Sequence, residues 1–122
     1  KYYYFIIYMT FFEPEQFYGN IEYKLYIGSK KNDRILSQFF FRLREGNGKA
    51  IYIIGITDNG LLHITNIKLI MESIHNFIYI VGKYSTFKIR IFTQKPYVYA
   101  IVCLENNKIS QINDVIDFNL IH

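Results

Sequence analysis

Between Asn32 and Gly60 the apolar residues change period once, and that change confines the chain to folds in which a helix feeds almost directly into a strand. Ile35, Leu36, Phe39, Phe40 and Leu43 recur at three- and four-residue spacing, one face of a helix. The stretch KAIYIIGIT that follows is a short β-branched run bounded by turn residues. Asn32 or Asp33 suits the helix N-cap, because a short polar side chain can accept from the free amides of the first turn. Gly46 stands where a left-handed C-cap glycine belongs.

The four glycines around this run, in EGNGKAIYIIGITDNG, invite comparison with a phosphate-binding loop. Such a loop must follow a strand, read GxxxxGK[ST] and open a helix, so that backbone amides face the phosphates. Here Gly46 and Gly48 follow a helix, and Ala50 stands where the hydroxyl residue is needed. The glycines are better explained as punctuation. Gly55 falls inside the strand, and Asn59-Gly60 between two apolar runs predicts a hairpin with a type I′ turn, both central residues at positive φ.

The rest of the chain follows the same two periods. Ile21 to Gly28 alternates Ile21, Tyr23, Leu25 and Ile27 against Glu22, Lys24 and Tyr26, a half-buried strand. The stretch TNIKLIMESIHNFIYIVGKY is a second helix, with Ile67, Ile70, Met71, Ile74, Phe77, Ile78 and Val81 on one face, Thr65 as cap and Gly82 near its stop. STFKIRIFTQ and YVYAIVCL, on either side of Lys95-Pro96, are two more strands. The expected architecture is therefore α+β: a two-layer sandwich, β-α-β-β-α-β-β, with a mixed sheet and two helices on one of its faces. Residues 1–20 read as an aromatic extension and loop, 21–104 as the domain, and 105–122 as a connector entering a further strand-like run.

Charge and cysteine content narrow the function classes. A net charge of +4, from 14 basic and 10 acidic residues, permits an anionic partner without requiring one. The single cysteine, Cys103, lies in an apolar run, as a buried thiol would, and points to a reducing, cytoplasmic setting. KYYYFIIYMTFF is too short to span a membrane and has no small-residue cleavage site, so no membrane association is expected. His63, His75 and His122 are scattered. Glu72 and His75 have Glu-x-x-His spacing, but a metal would need a second such pair on another helix, and the sequence has none. No serine or cysteine has the context of a nucleophile, so neither catalysis, metal nor cofactor is expected of this chain. What remains is a basic set, Lys31, Arg34, Arg42, Arg44 and Lys49, part of it opposite the apolar stripe of the first helix, as candidate phosphate or partner contacts.

GNIEYKLYI, SQFFFRLREGNGKAIYIIGITDNGLL and the unit ending FKIRIF together resemble the N-terminal region of the GTP-binding protein 1 and GTP-binding protein 2 family, translational GTPases related to elongation factor Tu. The resemblance runs from Gly19 to Gln94, and its RLxEGxG and IGxxDNG blocks are specific in combination. Phe40 and Asn47 depart from it, standing where the family tends to carry polar or basic residues. It implies a non-catalytic domain preceding a GTPase domain, with GTP and Mg bound elsewhere in the whole protein and a phosphate loop expected just after His122. The implied partners are the GTPase domain itself, tRNA or the ribosome. GKAIYIIGITDNG is also similar to a stretch of AlbA/Schlafen-like domains, which leaves a stand-alone nucleic-acid-binding module as the alternative.

Overall fold

The computed structural model describes residues 12–30 and 32–106. Its elements are β1 (Ile21–Lys24), α1 (Asn32–Glu45), β2 (Lys49–Ile54), α2 (Ile67–Val81), β3 (Thr86–Gln94) and β4 (Tyr97–Glu105). They form one mixed four-stranded sheet in the order β1-β2-β4-β3. β1 and β2 run parallel, since α1 carries the chain back to the same end, while β2 with β4 and β3 with β4 are antiparallel. The expected α+β sandwich is the fold observed.

Both helices pack on one face of the sheet. Phe39 and Leu43 of α1, and Ile70, Ile74, Phe77 and Val81 of α2, meet Ala50, Tyr52 and Ile54 of β2 and Val98, Ala100, Val102 and Leu104 of β4. Strict alternation of buried residues along β4 follows from the two-residue strand period. The aromatic centre of this core is Tyr52 against Phe77, ring centroids 4.3 Å apart, with Phe39 edge-on to Phe77 at 6.2 Å.

Several local expectations change. The positive φ at the end of α1 belongs to Asn47 (55°) and Gly48 (95°), not Gly46. Gly48 N–H donates to the Leu43 carbonyl and Asn47 N–H to that of Arg44, a Schellman closure with asparagine in its left-handed position. Gly46 is required for a different reason: a Cβ there would lie 1.8 Å from the Lys49 carbonyl oxygen. α2 is capped by Asn66 rather than Thr65, its side chain accepting from Lys68 N–H at 2.9 Å.

The Asn-Gly turn also differs. Gly60 has φ 85° but Asn59 is not in the left-handed region, and Thr57 N–H donates to the Leu61 carbonyl at 2.9 Å. This is a three-residue loop ending in a left-handed glycine, not a type I′ pair. The bridge from Ile56 to Leu62 follows it and LLHI forms no full strand, so among the described residues the order is β-α-β-α-β-β. The reason is tertiary: Ile64 presents its carbonyl to Val98 N–H at the start of β4, which occupies the position beside β2 that a hairpin partner would need. β1 likewise ends at Lys24, because Ile27 leaves the sheet to be buried beneath α2. Cys103 is exposed, not buried, since it points from β4 to the face without helices.

Tyr52 is fully buried and its hydroxyl has no hydrogen-bond partner among the described residues. Burial, and then the charge of Glu22, drive its ionisation far above the ordinary value of 10.0. A phenol whose pKa is raised by folding contributes its full share of stability below pH 10 and loses it as the pH rises further, because only the unfolded chain then ionises. Tyr52→Phe is therefore expected to leave stability at neutral pH unchanged or raised by about 1 kcal/mol, as the unsatisfied hydroxyl is removed. It is also expected to move alkaline unfolding to higher pH, which circular dichroism across a pH titration would measure.

Candidate functional site

The loop between β1 and α1 is the point where the sheet and both helices converge and where two cations without ion pairs among the described residues, Lys30 and Arg34, line one cleft. Its course is set from beneath. Ile27 is 1% exposed; its amide donates to Ser73 Oγ of α2 at 2.9 Å and its carbonyl accepts from Asn76 Nδ2 at 2.9 Å. With both backbone groups of Ile27 clamped by α2, the next residues, Gly28, Ser29 and Lys30, arch over the start of α1. They close a cleft of about 500 Å³ with Lys24, Tyr26, Arg34 and Gln38 in its walls. Lys24 Nζ donates to Gln38 Oε1 and lies 3.7 Å from Glu22 Oε2, so its charge is partly answered. Lys30 and Arg34 have no carboxylate partner among the described residues. The pKa of Tyr26 is raised, by desolvation first and then by the nearby Glu72 carboxylate. A cleft with two unanswered cations and hydrogen-bonding groups at the start of a helix is suited to an anion.

The remaining expected contact residues are dispersed. Lys31 lies outside the described residues. Arg42 is 4% exposed and points inward: Nε donates to Glu22 Oε1 at 2.8 Å, Nη1 to the Gly19 carbonyl at 2.7 Å and Nη2 to the Gln16 carbonyl at 2.9 Å. Glu15 completes the group, 3.7 Å from Arg42 and accepting from Tyr23 N–H at 2.6 Å. Its pKa is raised, chiefly by desolvation. Arg42 is thus an internal strut that fastens residues 15–19 to α1, and it is not presented to a ligand.

Arg44 is exposed in the last turn of α1. At 1.5 Å per residue it stands about 15 Å along the axis from Arg34. Lys49, exposed at the start of β2, lines another groove of about 370 Å³ with Thr86, Lys88, Cys103 and Glu105. Lys88 and Arg90 of β3 were absent from the expected set. Their alternation in FKIRIF places them on one face of a strand, but only the sheet order puts them beside Lys49.

His63 and His75 are both exposed, and among the described residues no group of His, Cys, Asp or Glu comes together in a way that could hold a metal ion. No described helix is long and apolar enough to cross a membrane.

Comparison with known proteins adds a local similarity. No family model matches the chain, and no solved structure does. GTP-binding protein 2 of Mus musculus and that of Homo sapiens are each 48% identical to it over 52 residues, 40% of this chain. The chain spans 9% of the length of these curated relatives. Over that segment the chain is similar to a GTP-binding protein.

Proposed function

We propose that this chain is a non-catalytic N-terminal domain of a translational GTPase-like protein, contacting its GTPase domain, tRNA or the ribosome. The observation that carries the reading is the 48% identity to GTP-binding protein 2. The sequence has no GxxxxGK[ST] loop of its own, so GTP and Mg are assigned to the rest of such a protein. The β1–α1 cleft, with Lys30 and Arg34, supplies a surface that an acidic partner or an RNA phosphate would fit. That same cleft favours the second reading, a stand-alone AlbA/Schlafen-like nucleic-acid-binding module.

The 122-residue chain mixed with the GTPase domain of GTP-binding protein 2, with tRNA or with ribosomes is expected to form a complex weakened by Arg34→Ala, while turning over no GTP alone. GTP hydrolysis by the chain itself, or absence of binding to all three, would overturn the reading. RNA binding without any association with the GTPase domain or the ribosome would favour the module instead.

A further inference from the structure

We propose that the sheet face turned away from both helices binds a single-stranded nucleic acid, with Lys88 and Arg90 taking the phosphates and the floor between β2 and β4 taking the bases. This surface is not the one used by the reading above, and the inference stands whether or not the chain serves a GTPase.

The register of the strands builds the face in rows. Ile51 of β2, Cys103 of β4 and Lys88 of β3 stand side by side; so do Ile53, Ile101 and Arg90 in the next row, and Tyr99 with Phe92 in the one after. Neighbouring strands are about 4.8 Å apart, so each of the first two rows carries a cation about 10 Å from an isoleucine, across an uncharged centre. In the third row the rings of Phe92 and Tyr99 stack, centroids 5.1 Å apart and planes 15° from parallel.

The face is open enough to be used. Cys103, Lys88 and Arg90 are exposed and Ile51, Ile101, Tyr99 and Phe92 are partly buried, whereas Ile53 is 7% exposed and packs with Tyr23, Ile56, Leu62 and Phe12, so the open part of the floor runs from Cys103 toward β3. At one end Lys49 and Lys88 flank the groove of about 370 Å³, within the range of about 300–1,000 Å³ typical of small-ligand sites.

Charge complementarity selects the occupant. Lys49, Lys88 and Arg90 make no ion pair among the described residues, and Glu105 is the carboxylate that lines the groove beside them. A protein partner would have to supply both an acidic rim and an apolar centre. A single strand brings both with every nucleotide, a phosphate at the edge and a flat base for an apolar or aromatic floor. A duplex hides its base faces and would meet only the cations.

Cys103 gives a direct test, because it is the sole cysteine and lies on this floor. The full chain is titrated with fluorescent single-stranded RNA and DNA of about ten nucleotides, at about 50 and about 200 mM salt. The rate at which a chromogenic disulfide reagent modifies Cys103 is measured with and without saturating strand. Binding that weakens with salt, and slowing of the thiol reaction, are the expected results; whichever strand binds tighter identifies the preferred sugar.

Lys88→Glu with Arg90→Glu is expected to lower affinity at least about tenfold and to reduce the log–log salt slope by about 1.4, near 0.7 for each phosphate no longer neutralised. Lys49→Glu, outside the edge strand, should weaken binding by a smaller factor, and Arg34→Ala should leave Cys103 protection unchanged. The proposal is overturned by no binding at the lower salt, or by binding that leaves Cys103 reacting at its free rate. It is also overturned if affinity is lost in Arg34→Ala but kept in the β3 variant, or if a protein shields Cys103 and neither strand does.

Discussion

Arg42→Met is expected to lower the unfolding free energy by about 3–5 kcal/mol in urea titrations, the range for breaking a buried ion pair from one side. Glu22 is 6% exposed, and among the described residues Lys24, 3.7 Å away, would be its remaining ion-pair partner. The carbonyls of Gln16 and Gly19 would lose their donors at the same time. Against the 5–15 kcal/mol of a whole domain, roughly, this is a large loss.

Two companion variants separate the causes. Adding Glu22→Gln to Arg42→Met should restore part of the stability, since the stranded carboxylate is then gone. Arg42→Lys keeps the charge but cannot reach one carboxylate and two carbonyls with a planar fork, so it should fall between the original chain and Arg42→Met. Residues Phe17 and Tyr18 lie between the two carbonyl anchors and are 95% and 69% exposed. Chymotrypsin should cut there faster in Arg42→Met than in the original chain. Unchanged urea midpoints and unchanged cleavage would mean that Arg42 does not fasten this loop.

Phe77→Ala should be as costly, at about 3–5 kcal/mol for a buried aromatic. Phe77 is fully buried where α2 crosses the sheet, and it touches both Tyr52 and Phe39, so one truncation removes the ring that joins the two helices to β2. The surrounding isoleucines and valines of the sheet are held by their own strand ladders and cannot collapse fully into the space. Phe77→Leu, which leaves a smaller void, is expected to lose less. An apolar probe such as benzene should raise the thermal midpoint of Phe77→Ala and leave the original chain unaffected, which distinguishes a cavity from a general loosening.

Much of this fold is legible from residue period. The stripe of Ile35, Phe39 and Leu43, and that of Ile70, Ile74, Phe77 and Val81, identify two amphipathic helices because each must hide one face from water. Alternation in YVYAIVCL likewise marks a strand, and a chain with two helices and a sheet has few ways to bury both stripes other than on one sheet face.

Local geometry is less legible. Gly46 is the first glycine after the helical stripe and so reads as its left-handed cap, yet Asn47 and Gly48 take the positive φ. Gly46 is instead crowded by the Lys49 carbonyl three residues on and by Asn20, which only the fold brings there. LLHI alternates like a strand, yet β4 takes the place beside β2.

The candidate site divides the same way. A basic excess, and the cations at Arg34, Arg44 and Lys49, can be read directly from the residues, because charge is a property of each side chain alone. Whether a cation faces a ligand is a property of its neighbours. The fold turned Arg42 inward, because Glu22 and the carbonyls of Gln16 and Gly19 meet beneath α1 and a buried carboxylate there needs a counter-charge. It separated Arg34 from Lys49, and it set Lys49 near Lys88 and Arg90 through the strand order β2-β4-β3, in which residues more than thirty apart become neighbours. By itself the sequence determined which segments are helices and strands and which face of each is apolar, since hydrophobic period is written locally. Tertiary structure alone decided which of the charged residues remain at the surface and which stand together, because strand order and helix docking are long-range choices that no local pattern encodes.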